Sequence, residues 1–395
     1  MITFATMKEQ DSNSPIIHLQ QQQLLLRMEY EYEKEEFKRQ TENMGIARKV
    51  KRGLCWYPAT PGRSYYNSLN QLVIEITHTE NTDIEHNFEF GRPVCFFRQS
   101  ADGKITYMNF TATVSYADET RMVAIMPGAG AVMEVQETDN LGVQLYFDET
   151  SYRTMFEALE DTLRSKGNRL AELRDILLGT SKAGFRELYP VRFPWLNSTQ
   201  ETAVNKVLCA RDVAIVHGPP GTGKTTTLVE AIYETLHREP QVLVCAQSNT
   251  AVDWISEKLV DRGVNVLRIG NPTRVNDKML SFTYERRFEN HPLYPELWSI
   301  RKNLRELGSR ARRGSYDERE GSRMSRLRDR ATALEIQINA ELFDGAHVIA
   351  STLVSSNHRL LNGRRFGTLF IDEAAQALEA ACWIAIRKAD RVVLA

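Results

Sequence analysis

The sequence predicts an α/β fold: a parallel sheet with helices on its faces, interrupted by a small β-barrel on a helical stalk and by a helical insertion. Three observations carry this. From Trp195 onward, short apolar or β-branched runs alternate with helical segments, the signature of a parallel sheet covered by helices. One of those junctions, Val213–Thr227 (VAIVHGPPGTGKTTT), has the order strand, glycine-rich turn, helix. From Gly53 to about Phe147 the pattern changes to short strands separated by turn residues. The predicted division is 1–52 tail and stalk helix, 53–150 β-barrel, 151–194 second stalk helix and linker, and 195–395 sheet domain, with the helical insertion at about 285–345.

In chain order, residues 1 to about 15 are polar and expected to fray. Ile16–Arg52 reads as a long, mostly solvated helix whose apolar positions 24, 28 and 32 form one seam, a strut rather than a partner helix. The barrel strands are Leu72–Ile76, Val94–Phe97, Tyr107–Thr111, Thr113–Tyr116, Met122–Ile125 and Val143–Phe147, with turns such as Pro61-Gly62 and Pro127-Gly128 between strands. Trp56, Tyr57, Tyr65 and Tyr66 are candidates to stack on bases, or simply barrel core. Tyr152–Leu178 is helical, able to pair antiparallel with the first helix as a stalk, and Gly179–Pro194 is a linker. The sheet strands are Val213–Val216, Val242–Cys245, Val264–Ile269, His347–Ala350, Thr368–Ile371 and Val392–Leu394. The segment Arg301–Arg330 holds 11 basic and 5 acidic residues, a net of 11 − 5 = +6. It reads as a helical hairpin turning around Gly308–Gly321, its arginines either a solvated face or a phosphate-contacting one.

Bulk properties narrow the class. The 395 residues suffice for two or three domains, and 42% hydrophobic with 26% charged residues is ordinary for a soluble protein. A net charge of −1 leaves a polyanionic partner neither favoured nor excluded. The five cysteines are scattered and odd in number, with no pair at metal-ligand spacing, so a reducing cytoplasmic setting is expected. The N-terminus lacks the pattern of a secretory signal, and no apolar run reaches membrane-spanning length, so no membrane partner is expected.

The chemistry starts at Gly218–Thr225, which spells G-x-x-x-x-G-K-T. Its glycines let backbone N–H groups wrap a phosphate, and the following helix adds its positive dipole end. The loop comprises Gly218, Pro219, Pro220, Gly221, Thr222, Gly223, Lys224, Thr225 and Thr226. Lys224 can reach the β- and γ-phosphates of ATP, and the Thr225 hydroxyl can hold Mg²⁺. Downstream, Leu369–Glu373 is an apolar strand ending in two carboxylates. Asp372 is assigned to the Mg²⁺ shell with Thr225, and Glu373 to orienting and deprotonating the attacking water. Lys224, Asp372 and Glu373 are thus the catalytic candidates.

These motifs, in their order, resemble the superfamily 1B helicases of the nonsense-decay-factor and immunoglobulin-mu-binding-protein type. Leu196–Gln200 resembles the Q motif, which implies that Asn197 and Gln200 belong to the nucleotide site and that Gln200 reads the adenine edge. GPPGTGKT matches motif I, and Ala246–Asp253 resembles motif Ia, with Gln247 where the family usually has Pro. Arg268–Asn271 is similar to motif Ib, Ala350–Thr352 to motif Ic, and Asp372–Gln376 to motif II, placing Gln376 in the nucleotide site. The resemblance is specific over Trp195–Ala395 and only architectural over residues 1–190. It implies a RecA-like P-loop NTPase motor domain, ATP and Mg²⁺ as cofactors, and 5′-to-3′ movement on single-stranded RNA or DNA. Motifs Ia and Ic fall at the carboxyl ends of strands, where open α/β sheets bind ligands. Ser248, Asn249, Ser351 and Thr352 carry groups that can bond phosphate oxygens without reading bases. Ser248 and Asn249 also suit capping of the helix that follows.

Family members continue past motif II into a second RecA-like domain, whereas this sequence ends at Val392–Ala395. The expectation is therefore a polypeptide that binds nucleotide, hydrolyses it poorly, does not unwind and is poorly soluble alone. The rival expectations are a nucleic-acid remodelling ATPase without unwinding and a non-catalytic interaction fragment.

Overall fold

The computed structural model describes residues 14–78, 84–219, 221–270, 277–312 and 318–395. The predicted tail 1–13, Pro220 of the glycine-rich loop and Asn271 lie outside the described residues. The chain divides into two compact units, one of residues 1–36, 148–274 and 346–395, the other of 37–147 and 275–345.

Helices α1 (Pro15–Asn43) and α2 (Ile46–Lys51) lead into strands β1 (Cys55–Trp56), β2 (Thr60–Tyr66), β3 (Leu72–Thr77), β4 (Pro93–Gln99), β5 (Ile105–Ala117) and β6 (Arg121–Ile125). Helix α3 (Ala129–Gln136), strand β7 (Leu141–Leu145) and helices α4 (Glu149–Arg164), α5 (Arg169–Leu177) and α6 (Ser198–Cys209) follow. Strand and helix then alternate through β8 (Val213–Ile215), α7 (Lys224–Leu236), β9 (Val242–Ala246), α8 (Asn249–Asp261) and β10 (Val266–Arg268). Helices α9 (Asp277–Leu280), α10 (Tyr284–Glu289), α11 (Tyr294–Arg312) and α12 (Glu318–Asp344) precede β11 (Val348–Thr352), β12 (Phe366–Asp372), α13 (Glu379–Ile386) and β13 (Ala389–Leu394).

In the first unit, every predicted run from Val213 onward contributes a strand to one six-stranded sheet of order β10-β11-β9-β12-β13-β8. All its pairings are parallel. Except for the edge strand β8, whose Ile215 is 68% exposed, the strands are largely buried on both faces, which explains why they read as continuous apolar runs rather than alternating ones. One face shares a core in which Val242, Val244, Ala350 and Phe370 meet Leu228 and Ile232 of α7 and Val252 and Ile255 of α8. Each such side chain contributes about 1.5–3 kcal/mol on burial.

The first unit also holds the start of α1, antiparallel to α4. Gln23 donates to Glu160 (3.1 Å), Arg27 lies over the Phe156 ring (5.7 Å), and Tyr30 meets Tyr152 edge-on at 5.3 Å. The expected seam is on the wrong face: Leu24, Met28 and Tyr32 are 59, 61 and 64% exposed. Contact runs instead through Leu19, Gln23, Leu26 and Tyr30. These keep a 4-3-4 spacing, and polar members with apolar stems or rings hid it from a count of aliphatic residues.

In the second unit, seven antiparallel strands form a sheet of order β1-β7-β4-β5-β6-β3-β2 around one core that includes Trp56, Ile74, Phe96, Val114 and Val143. Trp56, a stacking candidate, is 3% exposed and lies face to face with His78, so it is core. Two expected strands are one, β5, with a register shift between Val114 and Tyr116. Pro61-Gly62, read as a turn, lies inside β2 beside a register shift. An edge strand tolerates a proline because one side of it has no ladder to join. The basic insertion is a helical hairpin, α11 and α12, running through both Gly308 and Gly321. Arg301 on α11 is buried, donating to the Ser68 carbonyl (3.0 Å) and pairing with Glu335 (2.9 Å), so it serves packing. Arg305 lies between the rings of Tyr66 (4.6 Å) and Trp298 (4.9 Å).

Candidate nucleotide site and neighbouring strand ends

β8 delivers the chain into the glycine-rich loop at the carboxyl edge of the parallel sheet. Gly221 and Gly223 take φ of +79° and +77°, a region only glycine enters at little cost. Gly223 caps α7 in this left-handed conformation, so the loop turns directly into the helix. A Cβ on Gly223 would stand 2.6 Å from Gln200 Nε2, and one on Gly218 would stand 2.8 Å from Thr222 Oγ1. A side chain at either position would push aside the end of Gln200 or of Thr222, and at Gly223 the left-handed φ adds backbone strain.

Lys224 opens α7 with its ammonium folded back onto the loop, donating to the carbonyls of Gly218 (2.7 Å) and Pro219 (3.1 Å). Thr222 Oγ1 also donates to the Pro219 carbonyl (2.7 Å). Thr225 donates to Asp372 Oδ2 at the end of β12 (3.4 Å). Sheet order thus joins two motifs 147 residues apart. Asp372 is 4% exposed; burial lifts its carboxyl above the ordinary carboxylate range, opposed by the Glu373 N–H (3.0 Å) and by Thr225. Glu373 is exposed and sits at φ 55°, ψ 34°, a conformation that costs a non-glycine residue on the order of 1–3 kcal/mol.

Two hard oxygens beside a loop built for phosphate suit Mg²⁺, which keeps several waters and takes its other ligands from phosphate. Among the described residues no cluster of three or more His, Cys, Asp or Glu side chains forms an all-protein cage.

Asn197 and Gln200 form a reciprocal capping box on α6: Asn197 Oδ1 accepts from the Gln200 N–H (2.9 Å), and Gln200 Oε1 accepts from the Asn197 N–H (3.2 Å). Gln200 Nε2 reaches the Thr222 carbonyl (3.4 Å), which brings both residues to the loop. The N-x-x-Q spacing of Asn197 and Gln200 is the sequence signal of this box. Thr226 and Gln376 are exposed, Gln376 on a short turn whose N–H bonds the Glu373 carbonyl (3.0 Å).

The other strand ends differ. Ser248 caps α8, accepting from the Ala251 N–H (3.1 Å). Asn249 Oδ1 accepts from Arg268 Nη2 (2.8 Å), and Arg268 Nε bonds Asp253 (2.8 Å). Arg268 is fully buried; burial draws its guanidinium below the ordinary value, and Asp253 opposes that. Ser351 is buried with its hydroxyl on Cys245 Sγ (3.6 Å), while Thr352 bonds Ser355 (2.8 Å). Of the four phosphate-contact candidates, Ser248 is exposed, Asn249 and Thr352 are half-buried, and Ser351 is buried. The Arg268 network joins residues 15 and 19 positions apart on different elements, and no local spacing announces it.

A model of the AAA domain family matches residues 195–395. An uncharacterised ATP-dependent helicase of Methanocaldococcus jannaschii is 29% identical over 301 residues, 65% of this chain and 45% of that protein. The DNA-binding protein SMUBP-2 of Mesocricetus auratus is 31% identical over 259 residues, 63% of this chain and 26% of its own length. The ATP-dependent helicase upf1 of Schizosaccharomyces pombe is 32% identical over 267 residues, 63% and 27%. The chain spans less than half the length of each of these relatives.

Proposed function

For a chain that belongs to the AAA-domain family of superfamily 1 helicases, we propose ATP hydrolysis coupled to 5′-to-3′ movement along single-stranded RNA or DNA, in the cytoplasm, with the parallel sheet as a RecA-like motor core. The observation that carries this is the meeting of Thr225 and Asp372 beneath the Lys224 loop. On this reading Lys224 exchanges its bonds to the Gly218 and Pro219 carbonyls for phosphate oxygens. The loop N–H groups and the α7 dipole hold the rest of the phosphate chain. Thr225 and Asp372 would hold Mg²⁺, which supplies neutralisation of charge developing on the phosphate oxygens. Glu373, exposed and next in the chain to Asp372, accepts the proton of the attacking water. Gln200, already against the loop, orients the base. Ser248 and Asn249, whose oxygens accept within the fold, offer their O–H and NH₂ donors to the strand backbone, contacts that carry no sequence information, and Thr352 would join them by giving up its bond to Ser355.

Binding of a fluorescent ATP analogue tests the first step. The wild-type chain should bind in the presence of Mg²⁺, and Lys224→Ala should weaken binding on the order of 10- to 100-fold, the loss of a charge-assisted contact. Equal binding by both proteins would sink the nucleotide site. Among the described residues no helix is long and apolar enough to cross a membrane, so these measurements need no lipid. In a protein that also carries a second RecA-like domain, ATP turnover without strand displacement on tailed duplexes would move the reading to a remodelling ATPase.

A further inference from the structure

The insertion hairpin carries arginines of two kinds. Arg301 and Arg330 have acidic partners, Glu335 and Glu296, at 2.9 and 2.8 Å. Arg319, Arg323 and Arg326 on α12 are exposed, and none forms an ion pair with an acidic residue among the described residues. With Arg330 they fall at positions 0, 4, 7 and 11 of one helix, within an arc of about 60° and along about 16 Å of axis. The apolar side of α12, with Met324, Leu334 and Ile338, is buried, so the stripe is not needed to close the hairpin. Like charges at i, i+4 destabilise a helix by a few tenths of a kcal/mol per pair. Three of them, Arg319, Arg323 and Arg326, have no ion-pair partner among the described residues, so their favourable use lies outside the helix.

We propose that Arg319, Arg323 and Arg326 form a track for the phosphodiester backbone of a nucleic-acid strand, separate from the ATP site and independent of base sequence. A guanidinium is suited to this role because its planar fork matches two phosphate oxygens and stays charged at any working pH. The spacing places one cation on each successive turn of the helix, so that consecutive phosphates meet consecutive arginines. The proposal rests on the reading above that the protein engages nucleic acid, and it adds where part of the affinity arises.

The experiment measures binding of fluorescein-labelled homopolymer 20-mers, RNA and DNA, by anisotropy over a range of salt concentrations. It compares the full chain with the triple variant Arg319→Gln, Arg323→Gln, Arg326→Gln. A control variant, Lys166→Gln, Lys182→Gln, Arg238→Gln, removes the same charge from exposed positions elsewhere. The stripe variant should bind roughly ten-fold or more weakly at low salt, and its slope of log K against log salt should be shallower by about 2, three phosphates at about 0.7 each. The control should keep the wild-type slope, and an Arg-to-Lys triple variant should keep most of the affinity. Unchanged melting temperature and ATP-analogue binding show that the stripe variant is folded. Wild-type affinity and slope in the stripe variant would overturn the track while leaving nucleic-acid binding standing. Absence of binding by the wild type, or competition by polyglutamate alone, would overturn both.

Discussion

Two corners of the same sheet edge use their polar side chains differently. At the phosphate-loop corner, Lys224 holds backbone carbonyls that an anion can replace, and Thr225 and Asp372 meet at 3.4 Å, long for a hydroxyl–carboxylate bond. At the β9–β10–β11 corner, Ser248 caps a helix, Asn249 is tied to Arg268, and Ser351 faces a buried thiol. The first corner keeps hydrogen-bonding capacity in hand, while the second uses most of its capacity to set the geometry of the strand ends. A residue type compatible with phosphate contact is thus necessary for such a role, and its other bonds decide whether the capacity is available.

Three substitutions test that contrast. The largest effect is expected from Arg268→Leu. It leaves Asp253 buried without its cation, a change that costs about 3–5 kcal/mol, and a fall in melting temperature on the order of 10 °C should follow. A melting temperature within a degree or two of wild type would show that the corner is not built around this arginine. Ser248→Ala removes a helix cap and should cost about 1 kcal/mol in a denaturant titration. If it instead leaves stability untouched and weakens nucleic-acid binding, Ser248 belongs with the groups that keep spare capacity.

The smallest effect has the opposite sign. Asp372 has its folded-state pKa raised by burial, so its ionised form is disfavoured in the folded chain. The associated stability is fully present below the ordinary value of 3.8 and is lost as pH rises through the folded value. Asp372→Asn should therefore raise the melting temperature of the nucleotide-free chain at neutral pH, and the difference should shrink as pH falls toward 3.8. The same variant should lose Mg²⁺-dependent ATP turnover. A variant less stable than wild type at neutral pH would show that Asp372 is held as a structural carboxylate.

Much of the parallel sheet was legible because its strands, the edge strand β8 apart, are largely buried on both faces and bounded by turn residues; all six runs are strands. The glycine loop was legible because Gly221 and Gly223 take conformations that other residues avoid. The α1 contact face was not, since Gln23 and Tyr30 carry it while Leu24 and Met28 stand in solvent. Pro61-Gly62 looked like a turn because local chemistry cannot tell an edge strand from a loop. Trp56 was open to a base-stacking role as well as a core one until its burial and its stacking partner, His78, were known.

The sequence by itself determined much of the local conformation: where strands and helices alternate in the parallel-sheet unit, that the loop of Gly221 and Gly223 turns the chain, and which residue types can hold phosphate and a hard cation. Tertiary structure alone decided proximity and availability. It brought Thr225 to Asp372, locked Asn249 onto Arg268, buried Arg301 and left Arg319, Arg323 and Arg326 in solvent. The physical reason is that propensity and side-chain period act over a few residues, whereas a hydrogen bond or ion pair depends on which distant groups the packing of the sheet and the hairpin places within about 3 Å.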